Sequence, residues 1–132
     1  MNTLTVGQEL SPTTYIINRA RLIEYANASG DQNPIHQDEV FAKSVGLDDV
    51  IAHGMLTMGL AGQYLSAIAG SAAVREFSAR FTKPVVVPAN TDVELIVSGK
   101  VAAIEGGVAK IEITTMCGDV KVLGMAKASI QL

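Results

Sequence analysis

Apolar residues change their spacing several times along this chain, and each change marks an element. Thr13 to Ile17 carries Tyr15, Ile16 and Ile17 in a row, residues that suit a pleated surface, and predicts a strand. From Asn18 the apolar positions Leu22, Ile23, Tyr25 and Ala26 fall at helical spacing. They predict a helix through about Ser29, with Asn18 as N-cap and Gly30 just past the C-terminus. Asp38 stands where it can cap a short helix over Glu39 to Val45, stopped by Gly46. The stretch from His53 to Ala69 is the main helix. Met55, Leu56, Met58, Leu60, Tyr64, Leu65 and Ile68 wrap most of its circumference, and His53 is its only ionisable residue of acid–base interest. A helix apolar nearly all round predicts burial.

The second half follows a different rule. Segments near Glu76–Lys83, Asp92–Ala103, Ala109–Met116 and Lys121–Gln131 are rich in β-branched residues and alternate in part with period two. Gly106-Gly107 and Gly118-Asp119 fall between them as turns. Pro84 and Pro88 flank Val85-Val86-Val87, which suits an edge or bend better than a central strand. Antiparallel strands with one buried helix predict an α+β fold in which the sheet wraps that helix. Such a sheet has few means of covering its edges within one chain, so an oligomer is expected.

Composition narrows the class. The chain has 132 residues, 48% of them hydrophobic and only 17% charged, which predicts one packed domain over residues 1–132. A net charge of −3 argues against nucleic acid as a partner. Cys117 is the lone cysteine and reads as a small hydrophobe in a strand. Met1 to Gln8 shows neither a basic nor an apolar leader region, and no apolar run reaches the ~18 residues of a membrane span. A cytoplasmic protein with no membrane partner is the expectation.

Chemistry concentrates in Ser29-Gly30-Asp31-Gln32-Asn33-Pro34-Ile35-His36 and, further on, His53-Gly54-Met55. A carboxyl and an imidazole brought together off a helix end can move protons. Asp31 and His36 are spaced across a turn that Pro34 stiffens and Asn33 can hold by local hydrogen bonding. Gly54 opens the main helix and can present a bare N–H to an oxyanion. The plain alternative is an Asx turn with two solvated polar side chains.

Gly30-Asp31-Gln32-Asn33-Pro34-Ile35-His36, followed by Ile51-Ala52-His53-Gly54-Met55-Leu56-Thr57-Met58, resembles the hydratase signature of the MaoC-like family. That family includes the R-specific enoyl-CoA hydratases and has the hot-dog fold. Arg80-Phe81-Thr82-Lys83-Pro84-Val85 is similar to a later strand of the same family. Within it, the wording around His53 and Gly62 is most similar to catalytic beta subunits of the (3R)-hydroxyacyl-ACP dehydratases of mycolic-acid elongation.

The resemblance implies a catalytic pair at Asp31 and His36 and an oxyanion donor at the Gly54 N–H. Asn33 and Pro34 match the supporting turn, and His53 matches a position beside the oxyanion donor. Single-chain R-specific hydratases often have serine at the position of Gly62, so their substrate preference does not transfer directly. Gly59 and Gly62 are candidates for substrate binding along the helix, the alternative being close helix packing. Arg80 and Lys83 could meet the phosphates of a pantetheine carrier or stand as a solvated strand end.

The implied activity is (3R)-hydroxyacyl-thioester dehydration or, in reverse, enoyl-thioester hydration. It proceeds by syn elimination or addition of water, without metal or other cofactor. The substrate would be an acyl thioester on ACP or CoA, and the assembly a homodimer or a heterodimer with a related subunit. Alternatives are a stand-alone R-specific enoyl-CoA hydratase, a hot-dog thioesterase and a non-catalytic partner subunit.

Overall fold

The computed structural model describes residues 3–132. The first two residues of the polar N-terminal stretch, on which the expectation of no leader partly rests, lie outside the described residues.

Strand β1 (Glu9–Ile17) leads into helix α1 (Arg19–Ser29), and a short helix α2 (Glu39–Ser44) precedes the long helix α3 (Gly54–Ala69). Strands β2 (Val74–Phe81), β3 (Val93–Glu105), β4 (Val108–Cys117), β5 (Val120–Lys121) and β6 (Leu123–Gln131) complete the chain. They form one antiparallel sheet in the order β1-β3-β4-β6-β2, with β5 paired to β4.

The predicted caps are all present. Asn18 Oδ1 accepts from the Arg21 N–H at 2.9 Å, and Asp38 Oδ1 accepts from the Phe41 N–H at 3.0 Å. Gly30 ends α1 in the left-handed region with φ 84°, a conformation that a Cβ would strain.

Helix α3 lies on one face of the sheet. Leu56, Leu60, Ala61, Tyr64 and Leu65 on the helix share a core with Ile17, Leu95, Val97, Val101, Ile111, Ile113 and Ile130 on the strands. Alternate residues such as Lys100, Glu112 and Lys127 are exposed, so the other face meets solvent.

Three expectations are corrected. First, β1 begins at Glu9, ahead of Thr13, and its pairing with β3 slips between Leu10 and Thr13. The slip contains Pro12, which lacks an N–H and is tolerated at a bulge on an edge strand. Second, the segment Lys121–Gln131 is not one strand: Val122 separates β5 from β6, and the β2–β6 register shifts again opposite Met125, whose φ is 47°. An extra residue in a ladder bends the strand, and alternation alone does not reveal it.

Third, α3 is not covered all round. Met55 is 58% exposed, and Gly59, Gln63 and Ala67 continue the same open stripe. The sheet reaches only one side of the helix. The Val85-Val86-Val87 run behaves as a bend: Val86 forms an isolated bridge with Ile51, and the Val87 N–H donates to the Val50 carbonyl at 2.8 Å.

Tyr64 connects the helix to the irregular start of β1. Its ring is 1% exposed, and its hydroxyl donates to the Ser11 carbonyl at 2.8 Å, inside the bulge. Tyr64→Phe keeps the packing and removes that bond, so it should destabilise the fold by about 1 kcal/mol. A melting curve that shows no decrease would contradict this role.

Candidate active site

Two turns carry the acid–base residues, and local hydrogen bonds fix both. After Gly30 the chain enters an Asx turn in which Asp31 Oδ1 accepts from the Asn33 N–H at 3.1 Å. Asn33 Oδ1 then accepts from the Ile35 N–H at 3.2 Å, capping the single helical turn Pro34–His36. Pro34 sits at the start of that turn, where its missing N–H costs nothing. The two supporting residues thus make the turn that the sequence assigns to them.

His36 is 7% exposed, and its Nδ1 lies 2.7 Å from the Ile51 carbonyl oxygen. A carbonyl only accepts, so Nδ1 carries a proton, and in the neutral ring the lone pair is on Nε2. That lone pair is on the side of Asp31, whose Oδ2 is 4.0 Å away and whose side chain is half exposed. The gap is too long for a direct hydrogen bond. It is suited to a hydroxyl or a water bonded to both groups.

His53 is buried beneath this pair. Its Nε2 donates to the Asp31 backbone carbonyl at 3.1 Å, and its ring stacks on that of His36 with centroids 3.8 Å apart and planes 24° apart. Tyr25 closes the other side at 4.7 Å. Burial pushes the His53 pKa down, the adjacent His36 adds to this, and the Asp31 carbonyl and carboxyl oppose it. Gly54 follows as the first residue of α3, where helix geometry leaves its N–H without an intrahelical partner. Thr57 Oγ1 donates to the Gly54 carbonyl at 2.6 Å and tightens this first turn.

His36, Gly54 and Thr57 line a cleft of about 340 Å³ with Ile51, Ala52, Phe81, Lys83 and Val85. Phe81 presses on Gly54: a Cβ there would come 3.1 Å from the Phe81 ring. A side chain here would need the Phe81 ring to give by a few tenths of an ångström, so glycine fits this close approach. Sequence reasoning gave Phe81 and Thr57 no role in the site, since their contribution depends on β2 ending beside the helix start. The Ile51 carbonyl and Tyr25 were equally invisible, because a backbone acceptor and a ring stacking across elements leave no motif.

Gly59 and Gly62 are not brought to this cleft. Each helical residue rotates by about 100°, so Gly59 is turned well away from the Gly54 side. A Cβ at Gly59 would meet nothing within 4 Å, and one at Gly62 would meet the Phe77 ring at 3.8 Å. Lys83 lines the cleft, whereas Arg80 does not.

Asp31, His36 and His53 each offer a ligand atom within 4.8 Å of the others. The near-parallel rings nevertheless direct their lone pairs side by side in separate planes rather than onto one point, which does not fit a metal ion. Burial pushes the Cys117 thiol up, so it is a poor nucleophile.

Residues 2–116 match the MaoC like domain, and the chain belongs to that family. Its sheet and long helix are those of the hot-dog fold. Over 73 residues it is 41% identical to 3-hydroxyacyl-thioester dehydratase X of Mycobacterium tuberculosis, a match covering 55% of this chain and 25% of that protein. The chain thus spans about a quarter of that relative's length. A solved MaoC-like dehydratase superposes with a TM-score of 0.95 at 36% identity, over 98% of this chain and 41% of that one. The (R)-hydratase from A. caviae involved in PHA biosynthesis gives 0.85 at 25% identity, over 100% of this chain and 99% of that one.

The depressed His53 pKa makes folding pH-dependent. An unfolded chain protonates this histidine near pH 6.5, whereas the folded chain takes the proton only at lower pH. Protons therefore favour the unfolded state in that interval, and the contribution present above pH 6.5 is lost as pH falls through the folded value. Melting temperatures should decline from pH 7 towards pH 5, with a shallower decline in His53→Gln. Equal slopes in the two proteins would exclude this residue as the cause.

Proposed function

We propose that this chain is a hydro-lyase that interconverts a (3R)-hydroxyacyl thioester and the corresponding 2-enoyl thioester by syn removal or addition of water. One observation carries the reading. His36 Nε2, the nitrogen left open by the Nδ1–H bond to Ile51, faces the Asp31 carboxyl across 4.0 Å, beside the cleft that starts at Gly54.

The chemistry follows from what the substrate needs. A 3-hydroxyacyl thioester must lose a proton from C2 while enolate charge gathers on the thioester oxygen. It must also lose hydroxide, a poor leaving group, from C3. His36 Nε2 takes the C2 proton, and the Gly54 N–H at the positive end of α3 stabilises the oxygen, worth ~3 kcal/mol for such donors. Asp31 binds the 3-hydroxyl. The proton gathered by the pair leaves with the hydroxyl as water, so both residues return to their starting state. His36 lines the cleft and Asp31 stands 4.0 Å from its Nε2, so a substrate bonded to both meets them from one side and the elimination is syn. None of these steps calls on a cofactor. Lys83 at the cleft is the cation we assign to a phosphate of the pantetheine arm shared by CoA and ACP. The cytoplasm, where such thioesters are made, is the compartment we assign.

The assembly we propose is a dimer through β2, which pairs with β6 on one side and has a free edge on the other. Phe81 at its end is 56% exposed and lies at the cleft, so a second subunit on this edge would adjoin the site. Antiparallel self-pairing centred on Ser78 places Glu76 of one copy opposite Arg80 of the other, twice. Opposite charges directly across a ladder are favourable.

Hydration of crotonyl-CoA and of a long-chain enoyl thioester by the purified chain, followed by loss of enoyl absorbance, tests the activity. Asp31→Asn and His36→Ala should each lower kcat by at least ~10²-fold with folding retained. Near-full turnover in either variant, or release of free thiol in place of hydration, would overturn the reading.

Light scattering tests the assembly. Glu76→Arg should weaken the dimer, and adding Arg80→Glu should restore it. A monomer at micromolar concentration would exclude the homodimer and leave pairing with a related subunit.

A further inference from the structure

The buried imidazole behind the site touches every part of the machinery and is consumed by none of it. His53 bonds the Asp31 carbonyl at 3.1 Å through Nε2, stacks on the His36 ring at 3.8 Å, and immediately precedes Gly54. Its other nitrogen, Nδ1, is buried with no hydrogen-bond partner. Histidine is a costly choice for a place that needs only an apolar filler, because an unpaired buried acceptor carries a desolvation penalty. A helix N-cap normally has a side chain that bonds the first turn, and this one makes no such bond. The residue is therefore neither a good cap nor a good core residue.

Resting on the hydratase reading above, we propose that His53 is a positioning residue for the proton-transfer pair. One ring anchors the Asp31 backbone through its Nε2–H and supports the face of His36, so that carboxyl, base and oxyanion donor keep a single geometry. A side chain with a flat face and an in-plane donor does both tasks at once; Phe supplies only the face and Gln only the donor.

The charge state suits this role. The groups facing the ring are Asp31 on the loop after α1, His36 on the following turn and Tyr25 on α1. Burial disfavours the protonated form of His53. When His36 accepts the C2 proton, it therefore meets the face of an uncharged ring rather than a second imidazolium. A cation against an aromatic face is attracted, whereas two stacked cations would repel.

Kinetics and nuclear magnetic resonance test the assignment. His53→Phe and His53→Gln should each lower kcat for crotonyl-CoA hydration roughly 10-fold or more, with KM within about 2-fold, as expected for lost orientation. In an Asp31→Asn background, adding His53→Phe should cost less than it does in the unaltered protein, because one of the positioned groups is already gone. The ¹⁵N ring resonances of the unaltered protein should show the Nε2–H tautomer of His53, with its titration midpoint below the ordinary value of about 6.5.

Wild-type kcat in both His53 variants would overturn the proposal. So would equal losses in the two backgrounds, or an Nδ1–H tautomer. If His53→Phe does not fold, His53→Gln and the wild-type spectra decide. Inactive Asp31 and His36 variants beside fully active His53 variants would remove this inference alone; active Asp31 and His36 variants would remove the hydratase reading itself.

Discussion

The hydrogen bond from His36 Nδ1 to the Ile51 carbonyl is the constraint on which the chemistry of this molecule rests. At 2.7 Å from an atom that can only accept, it fixes the tautomer, the ring plane and the direction of the free lone pair together. The carbonyl is itself held in place. The Ile51 N–H donates to the Ile35 carbonyl at 3.2 Å, and Ile51 bridges Val86. Arg19 secures the far side of that bridge, donating to the Val87 carbonyl at 2.6 Å and pairing with Asp49 at 2.8 Å. The His36 ring is thus positioned by backbone from three separate stretches of chain.

The fold and the site also share one compromise. A single sheet reaches one side of α3 and leaves the Met55, Gly59, Gln63 and Ala67 stripe uncovered. It also ends in a strand, β2, that is paired on one side only. The cleft opens at this unfinished corner, where the helix start, the end of β2 and the Thr82–Val85 bend meet. Closing the corner within the chain would cover the cleft at Gly54. Leaving it open keeps the cleft accessible and, among the described residues, leaves one edge of β2 without a neighbouring strand.

Much of this was legible in the residues. Asn18, Gly30 and Asp38 announce their helix ends because capping is decided by local hydrogen bonds and backbone angles. The turn joining Asp31 to His36 is equally local, built from Asn33, Pro34 and the Asp31 side chain. The β1 bulge, the break at Val122 and the twist at Met125 were not legible, since each depends on which strand lies alongside. Gly59 and Gly62, candidates for an acyl path beside the helix, lie on other sides of α3 than the cleft at Gly54, a relation that depends on where the sheet packs.

What the sequence by itself determined is the set of elements and the inventory of chemistry: a base, a carboxyl and a glycine at a helix start, each carried by a motif a few residues long. Local physics is enough for that. Only the tertiary structure decided which nitrogen of His36 meets a carbonyl, what His53 touches, and which side of α3 faces the cleft. Those answers depend on the Ile51 carbonyl, the Asp31 carbonyl and the Phe81 ring, partners brought together across 15, 22 and 27 positions of chain. Contacts of that kind form only when the sheet has packed against its helix, and no spacing along the chain encodes them.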